Sequence, residues 1–118
     1  MDQATRNLAQ KMADILLSKK AEDVVLLDIS DMTVIAEGFL IASGRSTVQV
    51  KALADHLDEG MRLAGVVPQH VEGYATGRWI ISDYGSLIVH IFHAEDREFY
   101  NIERLWSKES DSNRTDFS

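Results

Sequence analysis

Apolar positions recur along this chain with two periods, and the change from one to the other marks out its elements. Leu8, Met12, Ile15 and Leu16 stand at i, i+4, i+7 and i+8, which predicts a helix over residues 5–18. Asp2 or Thr5 can cap it, and Lys19-Lys20 suit the negative end of its dipole. Residues 24–27 form a continuous apolar run of strand length, read as a strand buried on both faces. Residues 31–37 connect it to a second strand, 39–42. Gly44-Arg45-Ser46 then turns into a long helix with Ser46 or Thr47 as its cap. Val50, Leu53, Ala54, Leu57, Met61 and Ala64 form the buried stripe of that helix, and Gln49, Lys51, Asp55, His56, Asp58 and Glu59 its solvated face. Gly65 ends it and Pro68 follows. A short strand is expected over 71–74 and a loop over 75–78.

The stretch from Trp79 to Trp106, WIISDYGSLIVHIFHAEDREFYNIERLW, organises the rest. Short runs rich in β-branched residues, 80–82 and 87–92, flank Asp83-Tyr84-Gly85-Ser86, where Gly supplies the positive φ of a tight reversal. With Tyr84 and Gly85 as the central turn residues, Trp79 pairs with His90, Ile81 with Ile88 and Asp83 with Ser86. Opposed residues point the same way, so these six share a face that Phe92 extends. The other face carries Ile80, Ser82, Leu87, Val89 and Ile91 and is nearly pure core. A one-residue slip would exchange the two sets. Glu95 and Asp96 then open a helix, and Phe99, Ile102 and Leu105/Trp106 lie at amphipathic spacing, which makes Phe99, Ile102 and Leu105 core positions and packing the default for Trp106. The order of elements predicts an α/β domain: a mixed sheet with flanking helices, a right-handed crossover and an antiparallel hairpin. One domain is expected over 1–107, followed by a polar, loosely ordered tail over 108–118.

Composition narrows the function. A chain of 118 residues with 45% hydrophobic and 26% charged residues supports one core. No apolar run approaches the ~20 residues that span a bilayer, and the polar N-terminus does not read as a signal peptide. With no Cys there is neither a disulfide framework nor a thiolate metal site, so a cytoplasmic protein is expected. The net charge of −7, from 12 basic and 19 acidic residues with no basic run, argues against nucleic acid as the main partner and is compatible with a basic protein.

Three motifs taken together carry a family resemblance: Trp79-x-x-x-Asp83-x-Gly85, then Val89-His90-Ile91-Phe92, then Arg97-x-Phe99-Tyr100-x-x-Glu103-x-Leu105-Trp106. With upstream matches at 20–28, 39–46 and Val71-Glu72-Gly73, this ordered set resembles the ribosomal silencing factor family, RsfS or Iojap, over roughly residues 5 to 107. The resemblance implies a small α/β protein with a nucleotidyltransferase-like fold that needs no cofactor and is not an enzyme. It implies docking on a large-subunit ribosomal protein, the one conventionally numbered fourteen, and a steric block on joining of the small subunit. Some members self-associate, so a homodimer is among the expectations. One departure stands out: family members usually carry an Asp-aromatic pair before the second strand, where this chain has Glu37-Gly38.

The resemblance points to Trp79, Asp83, His90, Phe92, Arg97 and Tyr100 as the partner-binding set, an aromatic anchor beside an acidic group. The bland alternative is a sheet face covered by a helix, with Trp79 packed and Asp83 capping the turn. A metal site among His70, Glu72, His90, His93, Glu95 and Asp96 is disfavoured, since His90 and His93 are three apart on a strand and point to opposite faces. A degenerate nucleotidyltransferase or nucleotide-binding protein is the alternative function. It would use Gly44-Arg45-Ser46 as a phosphate turn, but Asp83 stands alone where paired carboxylates are needed to hold catalytic metals. Ser82 and Ser86 lie near His90 without the context of a hydrolase nucleophile.

Overall fold

The computed structural model describes residues 1–117. Asp2 accepts a hydrogen bond from the Thr5 amide at 2.8 Å and starts α1, Gln3–Ser18. Strands β1, Glu22–Asp28, and β2, Gly38–Gly44, follow as an antiparallel pair. Ser46 caps α2, Thr47–Leu63, through the Gln49 amide at 3.0 Å, and the chain then turns into β3, His70–Glu72. The hairpin of β4, Trp79–Asp83, and β5, Leu87–His93, leads into α3, Ala94–Tyr100, and α4, Ile102–Trp106. A short 3-10 turn, Glu109–Asp111, precedes β6, Arg114–Asp116.

The six strands form one mixed sheet in the order β3-β4-β5-β2-β1-β6, with β2 and β5 parallel and every other pair antiparallel. The two-residue side-chain period then separates two cores. Leu26, Leu40, Ala42, Ile80, Leu87, Val89 and Ile91 face α1 and α2, where Met12, Leu16, Leu53, Leu57 and Met61 bury against them. Val25, Leu27, Phe39, Ile41 and Phe92 face the other way, covered by Ile102 and Trp106 of α4. One sheet face is fully roofed by two long helices, and the other only in part by two short ones.

Three expectations need correction. The hairpin pairs Trp79 with Phe92, Ile81 with His90 and Asp83 with Ile88, two residues away from the predicted register. The turn residues are Gly85 and Ser86, closed by the Tyr84 amide on the Leu87 carbonyl at 2.8 Å, and Gly85 has φ +87°. A slip of two leaves every side chain on its predicted face, so the division into two faces survives. The last helix is broken, because Asn101 adopts the left-handed conformation at φ 43° and separates α3 from α4. The polar tail also folds back: β6 pairs with β1, and Asn113 donates to the carbonyls of Asp28 and Trp106, both at 2.9 Å. Polar side chains do not stop a segment from satisfying a sheet edge with its backbone.

Candidate aromatic docking face

Trp79 opens β4, and its position depends on the turn before it. Gly73 sits at φ +83°, where an added Cβ would lie 1.9 Å from the Trp79 carbonyl oxygen. Only glycine lets β3 and β4 approach this closely. The Trp79 ring stacks on Phe92 with centroids 4.7 Å apart and tilts against Tyr100 at 4.9 Å. Tyr100 in turn meets Phe99 edge-on at 5.0 Å. The ladder runs outwards: Phe92 is fully buried, Trp79 half-buried, Tyr100 exposed and Phe99 79% exposed. This edge of the second face is where α3 and α4 leave the sheet uncovered.

The six residues expected to meet a partner divide sharply. Trp79 and Tyr100 touch one another at the surface, and Asp83 is half-exposed at the far end of β4. The Asp83 carboxylate also accepts the Gly85 amide at 2.8 Å, so it caps the turn, as the bland alternative has it. Phe92 has no exposure and supports Trp79 from beneath. His90 is buried among Phe39, Trp79 and Phe92. Its Nδ1 accepts the Trp79 indole N–H at 3.1 Å, and burial holds the imidazole pKa down to about 4.

Arg97 is a structural pin, not a surface cation. It donates to both Glu103 carboxylate oxygens, at 2.9 and 3.2 Å, to Ser43 Oγ at 2.9 Å and to the Asp23 carbonyl. The helix break explains its burial, since Asn101 turns α4 back and brings Glu103 to the guanidinium. The same break exposes Phe99 and Leu105, which a continuous helix would have buried beside Ile102. Phe99 is therefore the surface aromatic that pattern reading missed. The Asn101 between two short apolar groupings was the available signal.

The other candidate chemistries find their residues already engaged. Ser46 caps α2, Arg45 forms a two-pronged pair with Glu22 at 3.0 and 3.1 Å, and the Arg45 amide donates to the Gln49 side chain. His93 Nδ1 accepts the Glu95 amide at 3.2 Å, while His70 pairs with Glu72 at 2.8 Å. Among the described residues no three His, Asp or Glu side chains converge as a metal site requires. No helix there is long and apolar enough to cross a membrane.

Comparison with known proteins agrees with this architecture. The family model described as "Ribosomal silencing factor during starvation" matches residues 2–118. A ribosomal silencing factor RsfS of Halalkalibacterium halodurans is 38% identical over 103 residues, covering 87% of this chain and 88% of that one. A crystal structure of a Chromobacterium violaceum protein superposes with a TM-score of 0.83 at 33% identity, covering 89% of each chain. A mouse protein named "Mitochondrial assembly of ribosomal large subunit protein 1" is 26% identical over 102 residues, covering 84% of this chain and 45% of its own length. The chain belongs to the ribosomal silencing factor family, whose members are regulatory proteins and not enzymes.

Proposed function

We propose that this protein silences ribosomes by docking its open aromatic face on a basic protein of the large subunit, so that the small subunit cannot join. Membership of the silencing-factor family carries the reading, and the large subunit is favoured because the mouse relative's name connects it with that subunit's assembly. Within the fold, the surface best suited to docking is the Trp79–Tyr100–Phe99 ladder with Asp83 at the other end of β4. Exposed aromatics supply most of the energy of a protein interface, and an acidic rim steers a basic partner. Phe92 supports this surface from below, Arg97 fastens the helix that carries Phe99 and Tyr100, and neither makes contact itself. The partner that the family resemblance implies is the ribosomal protein conventionally numbered fourteen. The mechanism is steric occupation of the joining surface and requires no catalytic group, and its place of action is the cytoplasm.

Sedimentation with separated subunits tests this. The protein should travel with large subunits and not with small ones, and it should reduce subunit joining. Trp79→Ala should abolish both effects. Phe99→Ser should weaken both with little change in melting, since Phe99 is 79% exposed. Asp83→Asn keeps an oxygen for the Gly85 amide while removing the charge, so it should slow association without loosening the turn. Comigration with both subunits, or unaltered binding by Trp79→Ala, would overturn the reading.

A further inference from the structure

His90 presents an anomaly that the docking reading alone does not explain. It is more than nine-tenths buried, and its Nε2 is the one buried side-chain polar atom among the described residues without a partner. Because Nδ1 accepts the Trp79 N–H, the neutral ring must carry its proton on Nε2. A buried donor with no acceptor is unfavourable, and native interiors mostly avoid one. The neighbouring positions on the same face of β5, Ile88 and Phe92, are apolar, and an apolar side chain at 90 would remove this orphan donor. What an apolar side chain cannot do is accept a hydrogen bond from Trp79.

Stacking on Phe92, with Tyr100 tilted against it, confines the indole to a plane, yet it does not determine which edge of the ring turns outwards. The bond from Nε1 to His90 does determine it. It also removes the only hydrogen-bond donor of the indole from the surface. We infer that His90 is a positioning residue for the docking anchor: it locks Trp79 in one orientation and leaves an outward edge that is purely apolar. Such an edge matches aliphatic stems and methyl groups on the partner, and it offers nothing to a carbonyl or carboxylate. This inference rests on the docking reading above. Its basis is an unpaired buried donor at the one site where an acceptor orders the anchor, and ordering a rotamer-rich side chain in advance lowers the cost of association.

The test compares His90→Leu, which removes the acceptor and the orphan donor together, with His90→Asn, whose side-chain oxygen can take the place of Nδ1. The full chain is used, with purified large subunits as the probe. The indole N–H resonances of Trp79 and Trp106 are resolved by 15N-correlated NMR, Trp79 being assigned by its loss in Trp79→Phe. In His90→Leu the Trp79 indole proton should exchange with solvent at least about tenfold faster. Affinity should fall roughly three- to tenfold, the range expected for one unlocked side chain, while the melting temperature stays level or rises. His90→Asn should restore slow exchange and affinity. His90→Phe repeats the comparison with a larger apolar side chain. Unchanged indole exchange or parental affinity in the apolar variants would overturn the inference, as would affinity lost only in proportion to a lowered melting temperature. If Trp79→Ala itself binds large subunits normally, the docking reading fails, whatever the indole exchange shows.

Discussion

At the scale of single residues, one imidazole gives the molecule a pH dependence with a definite sign. His90 ionises near the ordinary value of 6.5 in the unfolded chain, and burial lowers this to about 4 in the folded one. Between those values the unfolded state binds the proton and the native state does not, so stability falls as pH drops from 6.5 towards 4. Above pH 6.5 the ring is neutral in both states and carries no such penalty; below pH 4 the penalty reaches on the order of 3 kcal/mol for a group this buried. Urea unfolding at pH 7 and pH 4.5 should show the loss, and His90→Leu should lack most of it. Paired carboxylates such as Asp96, held below 3.8 by its hydrogen bonds with Arg78, lose their contribution only at lower pH. An equal loss between pH 7 and 4.5 in His90→Leu would place the titrating group elsewhere.

At the scale of elements, the break at Asn101 decides which residues are core and which are surface. Arg97 ties α3 and α4 to β1 and β2, and Arg97→Ala would leave the Glu103 carboxylate, only 15% exposed, without that partner. Such a change typically costs about 3 kcal/mol or more. Melting should therefore drop sharply, and binding should fall only as the folded fraction does. A specific binding loss at full stability would return Arg97 to the docking set. This also shows how far the pattern could be read in advance. The two faces of the hairpin were legible despite the wrong register, because a shift of two conserves a period of two. The burial of Ile102 was legible as well, since it faces inwards on either side of the break. Phe99 and Leu105 were not, because one left-handed residue resets the phase of a helix whose apolar spacing looks continuous. Nor was β6 legible: its own residues are polar and join the sheet through backbone bonds and the two carbonyl contacts of Asn113, with the single Phe117 behind them as the apolar mark. Arg97 was singled out correctly but for the wrong role, since sequence cannot distinguish a cation that waits for a partner from one already held by Glu103.

At the scale of the whole molecule, the distribution of charge separates a protein partner from an RNA partner. The net charge is −7, and seven of the twelve Lys and Arg side chains are already paired with carboxylates of the chain itself. Few cations remain to displace counterions from phosphates, and none is needed for an apolar anchor. A protein that neutralises six to ten phosphates loses roughly a thousandfold or more in affinity between 50 and 200 mM salt. Here the dependence should be much shallower, less than about tenfold over that range, because salt screens only the steering between an acidic rim and a basic partner. The screening should appear mainly in the association rate, while dissociation, governed by Trp79 and its neighbours, should change little. Trp79→Ala should show the converse, a faster dissociation with nearly unchanged association. Binding kinetics on immobilised large subunits at several salt concentrations distinguish these signatures. A steep log-log slope carried by both rates would mean that ribosomal RNA, and not a basic protein, is what this surface meets.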